Sequence, residues 1–128
     1  MAVDGRYLLL NLSFKYPRLH LWDLQEKKIV KQYTGHAQER FLIKASFGGY
    51  KNSFIVSGSE GKSCGLKSSL DADIYLWHRK LGNLLAVIEG HTGTVNCVNW
   101  NPVDTHMMVS GKFIHKFVYF LKLLMIKQ

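Results

Sequence analysis

The stretch LHLWDLQEKKIVKQYTGH, residues 19–36, decides the fold, because its landmarks return farther along the chain at one common offset. Trp22 recurs as Trp77, and the pair Gly35-His36 recurs as Gly90-His91, both 55 residues on. A lone Gly-His or Trp-Asp is ordinary turn or core chemistry. Two landmarks reporting one period mark an internal repeat, and a repeat sets the architecture before local propensity does.

Working outward from that stretch, the chain reads as short strands joined by turns. Tyr7 to Asn11 is an apolar run after the Asp4-Gly5 turn, Leu19 to Trp22 alternates, and Ile29 to Tyr33 follows a charged turn at Gln25–Lys28. Phe41, Ile43, Ala45 and Phe47 alternate after Gly35-His36, and Phe54–Ser57, Ile74–Trp77 and Leu84–Ile88 complete a set of four. Beyond Gly90-His91, Thr94 to Trp100 alternates, Asn101-Pro102 turns the chain, and Met107 to Ser110 begins another strand. About nine strands result, three in a first unit, four in a second and two in a third. No helical period interrupts them before residue 112, which favours an all-β antiparallel meander over βαβ units.

With Gly35-His36, Gly90-His91 and Trp22-Asp23 in one frame, the chain resembles the WD-repeat β-propeller family. Propellers close with about four to eight blades, so the resemblance implies an incomplete propeller of two to three blades. It also implies a buried polar chain within each blade, running from the His of Gly-His through a strand Ser and a turn Asp to the strand Trp. Carried over, these are His36, Ser57 (or Ser59), Asp71 and Trp77, with His91, Trp22 and Asp23 in the neighbouring units. Asp71 stands six residues before Trp77, as the family pattern places it; the first unit departs from that pattern, with Tyr16 and then Pro17 at the corresponding point. Such a network stiffens a blade when every member is satisfied and is costly when one is missing.

Four strings are less generic: Phe47-Gly-Gly-Tyr50, Tyr75-Leu-Trp-His-Arg79, Thr94-Val-Asn-Cys-Val-Asn-Trp-Asn-Pro102 and Leu19-His-Leu-Trp-Asp-Leu24. Over residues 4–111 they resemble the WD-repeat scaffold subunits of CTLH-type ubiquitin ligases. The resemblance implies a non-enzymatic adaptor that binds ligase subunits or substrates, without a cofactor, in the cytoplasm or the nucleus. The alternative is a truncated or mis-spliced WD-repeat fragment without independent function.

The repeat is broken in two places. Removing residues 61–70, GKSCGLKSSL, joins Glu60 to Asp71 and restores a 45-residue period, so this segment reads as an insert in a strand–strand turn. Closure entropy grows slowly with loop length, so the blade is expected to tolerate it. After residue 111 the repeat gives way to a basic, apolar tail over 112–128, which divides the chain into a propeller fragment, 1–111, and a divergent tail. Both departures open on Gly-Lys, which GGTAAG encodes with a splice-donor consensus inside it, so translated intron sequence is expected at both. In the tail, Phe113, Ile114, Phe117, Val118, Leu121, Leu124 and Met125 fall on one helical face, which reads as an amphipathic helix. That helix would cover the open propeller edge; the alternative is an accidental apolar tail prone to aggregation, and membrane contact is not expected.

Charge and motifs narrow the function further. The chain of 128 residues carries a net charge of +8, which ordinarily raises nucleic acid as a partner. Six of its 17 basic residues lie in the two foreign segments, which contain no acid, leaving 11 bases against nine acids and a net of +2. Nucleic-acid binding is therefore not expected. Gly58-Ser-Glu-Gly-Lys-Ser63 imitates a phosphate loop but is two residues short between its first Gly and its Gly-Lys-Ser, and no helix follows. The six histidines are dispersed, and none pairs with Cys or Asp at metal-ligand spacing. Cys64 and Cys97 make no disulfide framework, and neither a signal segment nor a membrane span, which takes about 20 apolar residues, is expected. Open blade edges carry unpaired backbone groups, so self-association through edge strands is a further expectation.

Overall fold

The computed structural model describes residues 5–12, 17–36, 43–60, 72–91, 93–114 and 118–125. Ten strands occur among them: β1 (Tyr7–Leu12), β2 (Arg18–Asp23), β3 (Lys28–Tyr33), β4 (Ala45–Gly48), β5 (Phe54–Ser57), β6 (Ala72–His78), β7 (Leu84–His91), β8 (Val95–Trp100), β9 (Met107–Ile114) and β10 (Val118–Met125). They form three antiparallel meanders, β1-β2-β3, β4-β5-β6-β7 and β10-β9-β8. Three-stranded sheets thus flank one complete four-stranded sheet, which is the architecture of an incomplete β-propeller.

The sequence repeat is a structural repeat. In the first sheet the register shifts between Leu21 and Trp22, and in the second between Leu76 and Trp77. In each case the extra residue lies on the partner strand, Val30 of β3 and Leu85 of β7, opposite the step into the repeated Trp, and local twist increases at such points. The two bulges are 55 residues apart, the offset of Gly35-His36 to Gly90-His91.

Strand periodicity builds the core. Side chains of a strand alternate between faces, and the middle sheet buries both of its faces, so β5 and β6 need apolar residues at consecutive positions. Ile55, Tyr75 and Trp77 pack with Leu19, Leu21 and Tyr33 of the first sheet. Their immediate neighbours Val56, Ile74 and Leu76 pack with Val95, Val98, Trp100 and Met108 of the third. Each fully buried large side chain contributes about 1.5–3 kcal/mol, and the middle sheet shares in both clusters. At Gly58 a Cβ would overlap the Val95 carbonyl, and this close approach lets the Val95 N–H donate to the Ser59 carbonyl at 3.0 Å.

Two expectations are corrected. The third sheet has three strands rather than two, which raises the total to ten. The segment expected as an amphipathic helix is strand instead: β9 runs without a break across position 111 to Ile114, and β10 pairs with it from Val118↔Ile114 to Met125↔Met107. A short apolar run rich in Phe, Val and Tyr suits either period, and the unpaired edge of β9 decides in favour of the sheet. The 61–70 insert lies outside the described residues.

Candidate functional site

The residues expected to form the polar chain of the complete blade are placed as follows. His36 is buried, with its ring edge-on to Trp77 (centroids 5.4 Å apart, 84° between planes) and to Tyr75 (6.4 Å, 64°). Neither of its ring nitrogens has a hydrogen-bond partner among the described residues, and burial pushes the imidazole down to about 4, so it is neutral. The Ser57 hydroxyl donates to the Gly58 carbonyl at 2.9 Å, and Trp77 Nε1 donates to the Thr34 carbonyl at 3.0 Å. Ser59 makes the cross-strand link: its hydroxyl donates to the Asp73 carbonyl at 2.6 Å and accepts the Asp73 N–H at 3.1 Å. The structure therefore brings His36 and Trp77 into ring contact and sends the polar bonds of Ser57 and Trp77 to backbone carbonyls. Asp71 lies outside the described residues, and of His91 only the backbone, at the end of β7, is described.

In the first unit, Trp22 Nε1 is buried and has no partner among the described residues. Asp23 organises the turn that follows β2. One carboxylate oxygen accepts the Gln25 and Glu26 N–H groups at 3.0 and 3.2 Å, and the other accepts Arg6 Nη2 at 2.8 Å. The Arg6 hydrogen bonds hold its carboxyl below the usual carboxylate range. At the corresponding position of the second unit stands His78, and its Nδ1 accepts the Leu81 N–H at 3.1 Å. A histidine nitrogen thus replaces the aspartate oxygen as the acceptor that fixes the turn.

These turns belong to a larger feature that sequence reasoning did not anticipate. In antiparallel sheets the β2–β3, β4–β5, β6–β7 and β8–β9 turns lie at one end of the strands, and contacts between the sheets join them into a rim. The Arg6 and Arg79 guanidiniums lie 5.4 and 5.3 Å from the Tyr7 ring centroid. The Arg79 N–H donates to the Ser53 carbonyl at 2.9 Å, and the Trp100 indole packs on Gly48 where any Cβ would collide with it. Beside this contact a surface pocket of about 280 Å³ is lined by Leu9, Phe47, Gly49, Trp100 and Pro102, among others.

Each of the four turns exposes a large apolar side chain: Leu24 (39%), Tyr50 (62%), Leu81 (70%) and Val103 (91%). Each turn is also stiffened from within. Asp23 and His78 accept turn amides as described, Ser53 Oγ donates to the Tyr50 carbonyl, and Asn101 Oδ1 accepts the Val103 and Asp104 N–H groups at 2.9 and 3.0 Å. Lys27, Lys51 and Asn52 hold positive φ (56°, 53° and 54°), a conformation unfavourable for side chains other than Gly. The only sequence signal for the rim is an apolar residue in each polar turn, which is unremarkable one turn at a time.

Stacked antiparallel meanders with a Trp and Gly-His frame define a WD-repeat β-propeller fragment, and the comparisons agree. The chain is 43% identical over 112 residues to the WD repeat-containing protein 26 homolog of Arabidopsis thaliana, which covers 87% of this chain and 17% of that protein. It is 42% identical over 112 residues to GID complex subunit 7 of Schizosaccharomyces pombe, covering 87% of the chain and 20% of the relative. The Drosophila melanogaster homolog of WD repeat-containing protein 26 matches at 43% over 106 residues, covering 83% and 15%. The chain spans one-fifth or less of the length of these curated relatives. No protein-family model matches it.

Proposed function

We propose that this chain is a non-enzymatic protein-interaction module of a GID/CTLH-type ubiquitin ligase assembly, where it contributes blades that other subunits or substrates grip, in the cytoplasm or the nucleus. The observation that carries this reading is the similarity of more than four-fifths of the chain to a protein named as a subunit of that complex and to homologs of WD repeat-containing protein 26. The rim supports it, because four stiff turns with exposed apolar tips are what a rigid scaffold offers a protein partner. Within the complete blade, Asp71 is proposed as a member of the buried polar chain, as the family resemblance implies.

The test is affinity capture of the tagged full chain from cells, with Gly58→Asp as a folding-defective control because Gly58 meets the Val95 backbone. Recovery of ligase subunits by the parent chain and not by the control is expected. Equal recovery by both, or by neither, would refute the reading.

A further inference from the structure

We infer that the rim docks an acidic segment of a partner protein, one in which apolar side chains are interspersed with Asp and Glu. The inference deepens the adaptor reading and rests on it for the nature of the partner as a protein. Three properties of the rim specify the occupant. The first is its apolar content: Leu24, Tyr50, Leu81 and Val103 stand exposed on four turns that lie at one end of the strands and are linked by contacts between the sheets and within the middle one. Exposed apolar groups gathered on one end of a molecule point to a binding surface, whereas scattered single ones do not.

The second property is the sign of the charge around those tips. Lys27, Lys51 and Lys80 are exposed on the same turns, Lys28 is exposed at the start of β3, and Arg79 lies beside Tyr7. Among the described rim acids, Asp23 is engaged by Arg6 and by its own turn, which leaves Glu26 and Asp104 against the exposed lysines and Arg79. A surface with this balance attracts an acidic segment, while a second copy of the chain would bring like charges together. Nucleic acid would also answer the cations, but it gains nothing from aliphatic Leu81 and Val103. The third property is rigidity. Side-chain and backbone bonds fix each turn, so little ordering entropy is lost on binding.

The experiment titrates the purified full chain into a fluorescein-labelled peptide of repeated Leu-Glu-Glu-Phe-Glu and follows anisotropy. Control peptides replace Glu with Lys, or Leu and Phe with Ser. Binding of the acidic apolar peptide is expected, weakening with added salt and falling about tenfold for either control. The double variants Lys51→Glu/Lys80→Glu and Leu81→Ser/Val103→Ser, with circular dichroism unchanged, are expected to lose about tenfold each, since all four residues are exposed. Equal binding of the Lys peptide, or full binding by both variants, would overturn the inference. So would tighter binding of poly(A) RNA than of the acidic peptide, or a dimer that Leu81→Ser/Val103→Ser abolishes. Capture of ligase subunits without peptide binding would overturn the rim inference and leave the adaptor reading standing.

Discussion

His36 shows how a single residue couples this fold to pH. Burial between Tyr75 and Trp77 lowers its folded-state pKa to about 4 against an unfolded value near 6.5, so the unfolded chain takes up a proton that the folded chain refuses. The stabilisation is therefore complete above pH 6.5 and is lost as pH falls toward 4, by roughly 3 kcal/mol. Urea midpoints measured between pH 7.5 and 4.5 are expected to fall accordingly, and His36→Phe to flatten that dependence; an unchanged slope in the variant would locate the effect elsewhere. Gly48 offers a second test at this scale. A Cβ there collides with the Trp100 indole, so Gly48→Ala is expected to cost about 1–3 kcal/mol in thermal or urea unfolding. At Lys51, by contrast, Gly relieves a left-handed residue. Lys51→Gly is expected to raise stability by a few tenths of a kcal/mol to about 1 kcal/mol while removing a rim cation, so stability and peptide binding move in opposite directions.

At the scale of the element, β5 carries two interfaces on adjacent residues. Ile55 faces the first sheet and Val56 the third, so Ile55→Ala and Val56→Ala empty different cores. Each is expected to cost about 2–4 kcal/mol, and the double-mutant cycle to show a coupling below about 0.5 kcal/mol despite their adjacency in sequence. A larger coupling would mean that the middle sheet deforms as a body. The strands were legible in sequence for the same reason: alternation and consecutive apolar pairs report one or two buried faces directly. The tail was not legible. Its apolar residues satisfy a helical period as well as a strand, and only the open edge of β9, the strand immediately before it, selects the strand pairing seen in β10.

The whole molecule is three sheets in a row, and their stabilities are unequal by position. The middle sheet shares in both apolar clusters, whereas each flanking sheet shares in one. In a stack whose units are held by their neighbours, the interior unit opens last. Hydrogen exchange followed by mass spectrometry is expected to find the amides of β5 and β6 slowest, with β1 and β10 exchanging first; the reverse order would contradict this arrangement. The rim belongs to this scale as well. Tyr7 and Arg79, 72 residues apart in sequence, meet only because the first and second sheets stack.

By itself, the sequence determined the repeat, the strands and the family resemblance, because a period and a Gly-His and Trp frame are local properties that survive without a partner. It also marked His36 and Trp77 as inward-facing. Tertiary structure alone decided that the tail joins a sheet, that His78 does for one turn what Asp23 does for another, and that Leu24, Tyr50, Leu81 and Val103 share one rim. The physical reason is that each depends on the folded backbone rather than on residue type: the tail on the edge that β9 leaves unpaired, the His78 bond on the geometry of the closed β6–β7 turn, and the rim on the stacking of the sheets.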